Sequence, residues 1–163
     1  MANGPSDATR TVDSLLRAAA DAAEESIFLK GPERRYLFVN RAMCRLFACE
    51  PEDLVGRTPE DLFDPDSAAT VREVDDRTFA GETVHATRDL VVGGEARTFL
   101  TTQIPLPDEV GHVHAICGFV RDLTDLRRAE DELKAEKRFV ESLVDLAPTI
   151  IVLLDSEGRI VRY

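Results

Sequence analysis

The sequence has no tryptophan, only three histidines and three cysteines, and no apolar run near the roughly 20 residues that cross a bilayer. Each shortage removes a class of chemistry. Without Trp, the aromatic stacking that some flavin and ring-binding pockets use is thin. Cys44, Cys49 and Cys117 are odd in number and lack C-x-x-C spacing, which fits a reducing compartment and offers no thiol metal or redox motif. Basic residues are also short: 20 Lys and Arg face 31 Asp and Glu, a formal net charge of -11. Nucleic acid and anionic membrane surfaces both need a basic face, so neither is expected as a partner. The N-terminus lacks the basic-then-apolar plan of a signal peptide, and a cytoplasmic location is expected.

What is present reads as one domain of ordinary size with appendages. Residues 1–10 are expected to be a disordered lead. Over residues 11–25, Val12, Leu15, Leu16, Ala19 and Ala23 recur at helical spacing and predict an amphipathic helix. A strand over 26–30, the polar turn Gly31-Pro32-Glu33-Arg34 and a strand over 35–39 predict a hairpin. Asn40 is placed to cap a short helix whose Met43, Leu46 and Phe47 share a face. Pro51 and Pro59 each open a one-turn helix with carboxylates in its first turn, and 65–80 predicts a longer helix stopped by Gly81. The period then falls to two: 83–92, the turn Gly93-Gly94, 96–104 and 111–122 predict three more antiparallel strands. Asp122-Leu123-Thr124-Asp125 then meets a charged helix over 126–147, with Thr124 in position to cap it. The fold class is therefore α+β: a five-stranded antiparallel sheet at 26–125 with short helices on one face, flanked by an N-terminal helix and a C-terminal linker helix.

The chain also repeats itself. Without a gap, Ala147 falls beneath Ala23, Ile151 beneath Ile27, Leu153 beneath Leu29, Glu157 beneath Glu33 and Arg159 beneath Arg35. Residues 148–163 read as the start of a second copy.

Several marks stand in a fixed order: Tyr36-Leu37-Phe38-Val39-Asn40 with the short helix after it, Leu54-Val55-Gly56-Arg57-Thr58 ahead of Asp61-Leu62-Phe63, the Gly94-bearing hairpin, Pro105 closing the next strand, and Asp122-Leu123-Thr124-Asp125. In these the chain resembles the PAS sensor domains of bacterial signalling proteins, with their C-terminal PAC portion, whose common ending is D-[IL]-T-[DE]. Gly31 and Arg34 stand where that family often has Asp and Gly, which the second copy keeps at Asp155 and Gly158. The resemblance implies a sensory input module of a histidine kinase, diguanylate cyclase or serine phosphatase; no nucleophile elbow, phosphate-binding Gly loop or catalytic His–carboxylate pattern appears, so no catalysis is expected in this part of the protein. The alternative is a ligand-free module that only dimerises and spaces other domains.

PAS domains hold haem, flavin, small metabolites or nothing. Residues 65–80 contain no His for haem iron, and 58–63 lack the reactive Cys of light-sensing flavin relatives, so the cofactor stays open between a small organic ligand and none. An apolar cavity between sheet and helices is expected to be lined by Phe28, Met43, Leu62, Phe63 and Val71, together with Val74, Phe79, Phe99, Ile116 and Phe119. The same residues equally suit a dry core. Arg57 or Thr101 is placed to meet a polar ligand group. His112 and His114 share a strand face with His85 nearby, but no carboxylate or Cys completes a metal set at matching spacing, and no metal site is assigned.

Beyond the junction Asp122, Leu123, Thr124 and Asp125, the positions Leu126, Leu133 and Val140 recur every seven residues with Leu143 at the intervening spacing. That is a short coiled-coil seam, and PAS relatives commonly pair through such linkers. A homodimer, a downstream effector domain and a small-molecule ligand are the expected partners. A shift in the sheet would then reach the helix base and move the helix pair.

Overall fold

In the computed structural model, residues 7–146, 153–157 and 159–162 are described. The chain divides into a unit ending at Thr124 and a second running from Asp125. In the first, helix α1 (Asp7–Ala22) precedes strands β1 (Ser26–Lys30) and β2 (Tyr36–Val39). Helices α2 (Arg41–Phe47), α3 (Pro51–Leu54), α4 (Pro59–Leu62) and α5 (Pro65–Phe79) follow, then β3 (Val84–Val92), β4 (Glu95–Pro107) and β5 (Val113–Asp122). The strands form one antiparallel sheet in the order β2-β1-β5-β4-β3.

Asn40 organises the entry to this unit. Its Oδ1 accepts from Met43 N at 3.0 Å, capping α2 as predicted, and from Ile27 N at 2.9 Å. Its Nδ2 donates to Ala20 O at 2.8 Å and Glu25 O at 2.9 Å. The fully buried amide thus has partners at both ends and ties α1, β1 and α2 together. It also explains why α1 stops at Ala22 rather than 25: the carbonyls of Ala20 and Glu25 are already turned toward Asn40. At its other end α1 starts at Asp7, so residues 7–10 are helical where a disordered lead was expected; residues 1–6 lie outside the described part.

The two one-turn helices form where the prolines place them. Each carries a capping box, Glu50 with Asp53 and Thr58 with Asp61. Helix α5 is capped by Asp64, whose Oδ1 accepts from Asp66 N and Ser67 N, both at 3.1 Å. Strand β4 runs on past Ile104 through Pro105 to Pro107. Its pairing with β3 ends at Gln103, so beyond that residue it has a neighbour only on the β5 side and tolerates proline. Arg34, at the position the family often gives to Gly, has φ 59, in the left-handed region that glycine adopts without strain. It is held there by Arg34 N donating to Gly31 O at 2.9 Å and by its guanidinium on Asp76.

One close approach fixes the inner face of the sheet. Phe28 pairs with Gly118 across β1 and β5, and a Cβ at Gly118 would stand 2.1 Å from the Phe28 ring. Only glycine leaves the ring room to lie across β5.

The second unit contains α6 (Thr124–Leu146) from Asp125 onward and a two-stranded antiparallel hairpin, β6 (Leu153–Leu154) with β7 (Ile160–Arg162). The hairpin repeats the register of β1 with β2. Leu153 faces Arg162 as Leu29 faces Phe38, and Leu154 faces Ile160 as Lys30 faces Tyr36, with the same irregularity between each pair. Asp155 N donates to Arg159 O at 2.8 Å, where Gly31 N donates to Arg35 O at 3.0 Å. Among the described residues no helix is long and apolar enough to cross a membrane.

Candidate functional site: a cavity with a polar floor and a stitched exit

A cavity of about 50 Å³ lies between the inner face of the sheet and helices α2 and α5. Strand parity decides what lines it. Phe28 and Lys30 on β1, Arg88, Leu90 and Val92 on β3, and Phe99, Thr101 and Gln103 on β4 all fall on the inward side, opposite Thr70, Val71 and Val74 on α5. Of the residues expected there, Phe28, Met43, Phe63, Val71, Val74 and Phe99 line the cavity, with Thr101.

Four expected lining residues and Arg57 do not reach it. Phe119 pairs with Ile27 and Thr102, one residue out of step with the inward Gly118 and Val120, and so lies on the opposite face. Ile116 is on the inward face and fully buried, yet stands farther along β5 beside Lys30 and Pro105. Phe79 is half-buried at the C-terminal end of α5, and Leu62 packs against the core from outside the cavity. Arg57 is exposed, using its backbone carbonyl to accept from Tyr36 N at 3.0 Å.

Sequence reasoning missed the polar floor. Lys30 and Asp75 have fully buried side chains and form an ion pair at 2.7 Å. Asp75 Oδ1 accepts from Gln103 Nε2 at 3.0 Å, and Gln103 Oε1 lies 3.0 Å from the Thr78 hydroxyl, which is also 2.9 Å from Val74 O. The Lys30 ammonium stands over two aromatic faces, 4.6 Å from the Tyr36 centroid and 5.0 Å from that of Phe28. Burial pushes the Tyr36 phenol above its ordinary value, opposed in part by the Lys30 charge. One signal was visible: Lys30 shares the parity of Phe28 in β1, so if Phe28 points inward, so does Lys30.

The exit from the sheet is bonded to β4. Leu123 N donates to Thr98 O at 2.8 Å, and Thr98 N donates to the Thr124 hydroxyl at 3.0 Å. Asp122 Oδ1 accepts from Thr124 N at 2.8 Å and from the Thr124 hydroxyl. This corrects the expected cap: the Thr124 hydroxyl turns back to the sheet, and the Asp122 carboxylate takes the first helical N–H instead. Thr98 in turn donates its hydroxyl to Asp89 on β3 at 2.6 Å. Only Leu123 separates β5 from α6. Along α6, Leu126, Leu133, Val140 and Leu143 are all exposed, as is Phe139, which the heptad pattern left out.

The remaining candidates are dispersed. His85 Nδ1 lies 3.0 Å from the Thr102 hydroxyl, and His112 sits beside Asp108 on an exposed turn. Among the described residues no group of three or more His, Cys, Asp or Glu is placed to hold a metal. Cys44 is buried and Cys49 and Cys117 are half-buried, and burial pushes all three thiols upward. The cavity is far below the roughly 300–1,000 Å³ of ordinary ligand pockets. Porphyrin and isoalloxazine do not fit unless the lining side chains move.

Comparison with known proteins agrees with this architecture. A family model described as the PAS fold matches residues 20–128. The chain is 33% identical over 154 residues to the methanogenesis regulatory histidine kinase FilI of Methanothrix harundinacea, covering 91% of this chain and 17% of that protein. It is 32% identical over 128 residues to the aerobic respiration control sensor protein ArcB of Escherichia coli, covering 77% of this chain and 16% of that one. The chain therefore spans about a sixth of either relative's length. Among solved structures, the PAS domain of Bordetella pertussis BvgS superposes with a TM-score of 0.59 at 26% identity, over 77% of this chain and 98% of that domain. With its sheet order, its helices on the inner face and these matches in accord, the chain belongs to the PAS family.

Proposed function

We propose that this chain is the sensory input module of a larger signalling protein, reading what occupies the cavity and passing that state through α6 to an effector. As a PAS domain it is an input part of signal transduction, and the two kinase relatives support a histidine kinase as the whole. The observation that carries the coupling is Thr98. Both its backbone N–H and its C=O bond to the Leu123-Thr124 exit, while its neighbour Phe99 lines the cavity. A displacement of Phe99 thus reaches the base of α6 through one residue of β4.

The output is a pair of α6 helices in a homodimer. The exposed heptad positions Leu126, Leu133 and Val140 support it, since apolar residues repeated every seven along a charged helix bury their area by pairing. The exposed Val12, Leu15 and Leu16 of α1 are a further apolar surface for self-association. The repeated hairpin register supports a second PAS copy beginning at 148–163. Sedimentation velocity tests the pairing. The chain should sediment as a dimer at micromolar concentration, and Leu133→Asp should give monomers with an unchanged far-ultraviolet spectrum; a dimer that survives the substitution refutes the seam. The rival reading, a ligand-free dimerisation module, draws on the small volume of the cavity and the closed hydrogen bonding of its floor.

A further inference from the structure

We infer that the cavity takes a short-chain carboxylate, anchored by the guanidinium of Arg88; this rests on the sensory reading and names its ligand class. Among the described residues, Arg88 Nε is the one buried side-chain nitrogen or oxygen without a hydrogen-bond partner. Every other charged or amide group of the cavity is matched. Lys30 is neutralised by Asp75, both Asp75 oxygens are used, and Gln103 is bonded at its two ends. Arg88 is the one among them with a buried nitrogen that has no partner at all. It reaches from the cavity wall to the rim, where its Nη2 donates to Glu73 Oε1 at 3.3 Å, a long contact to an exposed partner. An unsatisfied buried N–H of a permanently charged group is costly, and a guanidinium offers Nε–H and Nη–H together as a fork that a carboxylate matches with two oxygens.

The rest of the lining selects the tail. Phe28, Val71, Val74, Leu90 and Phe99 surround the space with apolar surface, which favours a small alkyl group and penalises an inorganic oxoanion that would be stripped of water on every side. A volume of about 50 Å³ holds roughly four water-sized groups, which limits the guest to the shortest acids: acetate has that many heavy atoms, and the one more of propionate needs a small outward shift of the lining. Thr101 pairs with Ala86, two residues before Arg88 on β3, and adds a hydroxyl on the same inward face.

The test is isothermal titration of the whole chain with propionate and with its neutral isostere propionamide, at fixed ionic strength set by chloride. Saturable one-to-one propionate binding is expected, with propionamide weaker by roughly tenfold to hundredfold, the worth of a charge-assisted pair. Arg88→Gln should abolish that preference. Glu73→Ala, at an exposed position where folding is not in question, removes the acceptor that holds Nη2, frees the whole fork and should tighten propionate severalfold. Equal binding of acid and amide, a preference that survives Arg88→Gln, or no saturable propionate binding each overturns the carboxylate assignment. The sensory reading fails separately, if α6 proves indifferent to an occupant of any kind.

Discussion

Replacing Lys30 with Met removes the cation from the cavity floor while keeping most of the side chain's volume. Asp75 is then left fully buried with one hydrogen bond, from Gln103 at 3.0 Å. Breaking a buried pair from one side costs about 3–5 kcal/mol, because the surviving charge cannot reach water. A domain of this size has about 5–15 kcal/mol in total, so the variant should sit near its unfolding threshold. Removing both charges with Lys30→Met and Asp75→Leu recovers about half of the loss, because beyond the single variant it newly leaves the Gln103 amide without its partner, at about 1–3 kcal/mol. Urea denaturation followed by circular dichroism at one fixed protein concentration measures all three. A single-variant cost below about 1 kcal/mol, the range of surface ion pairs, would refute the claim that this pair is sealed from solvent. So would a double variant less stable than the single.

Gly118→Ala should destabilise by about 1–3 kcal/mol or more through overlap with the Phe28 ring, and Phe28→Leu in the same chain should recover part of it, as read by thermal melting. Asp64→Ala tests the α5 cap by pH. The Ser67 hydroxyl and N–H hold the Asp64 carboxyl below its ordinary 3.8. A carboxyl lowered by folding adds stability that is complete above that ordinary value and disappears as pH falls through the lower folded one. Wild type should thus be the more stable at pH 7, with the gap to the variant narrowing from about pH 4 downward; a gap that does not change with pH contradicts the charged cap. Thr124→Val removes the acceptor for Thr98 N and should speed hydrogen exchange at that amide by roughly tenfold, the equivalent of about 1.4 kcal/mol; unchanged exchange there would break the stitched exit.

The parts of this fold that local chemistry controls could be read from the chain. Pro51 and Pro59 opened one-turn helices because proline suits the first helical position, and Asn40 capped α2 because its side chain satisfies Met43 N. The motifs from Asn40 to Thr124 placed the chain among PAS domains, and the sheet agrees. What failed was chemistry between distant residues. Lys30 meets Asp75 across 45 residues and Asp75 meets Gln103 across 28, distances at which no spacing rule applies. Phe119 was misplaced by a single step of register, since the glycine beside it, not the phenylalanine, faces inward to admit Phe28. Thr124 looked like a cap and is instead a tether, because the sequence shows its neighbours in the chain but not Thr98 on the adjoining strand. Arg88 carries no motif or spacing of its own in the sequence; its parity with Val84 and Val92, both buried, was the available clue.

The proposed coupling joins the cavity to α6 through Thr98. Xenon under pressure enters apolar cavities irrespective of their natural guest, so amide resonances followed against xenon pressure separate coupling from ligand identity. Phe99 and Thr98 should shift together with Leu123, Thr124 and the first turns of α6, all on one saturation curve. Shifts that stop at Phe99 and Thr98, with α6 unmoved at saturation, would contradict it.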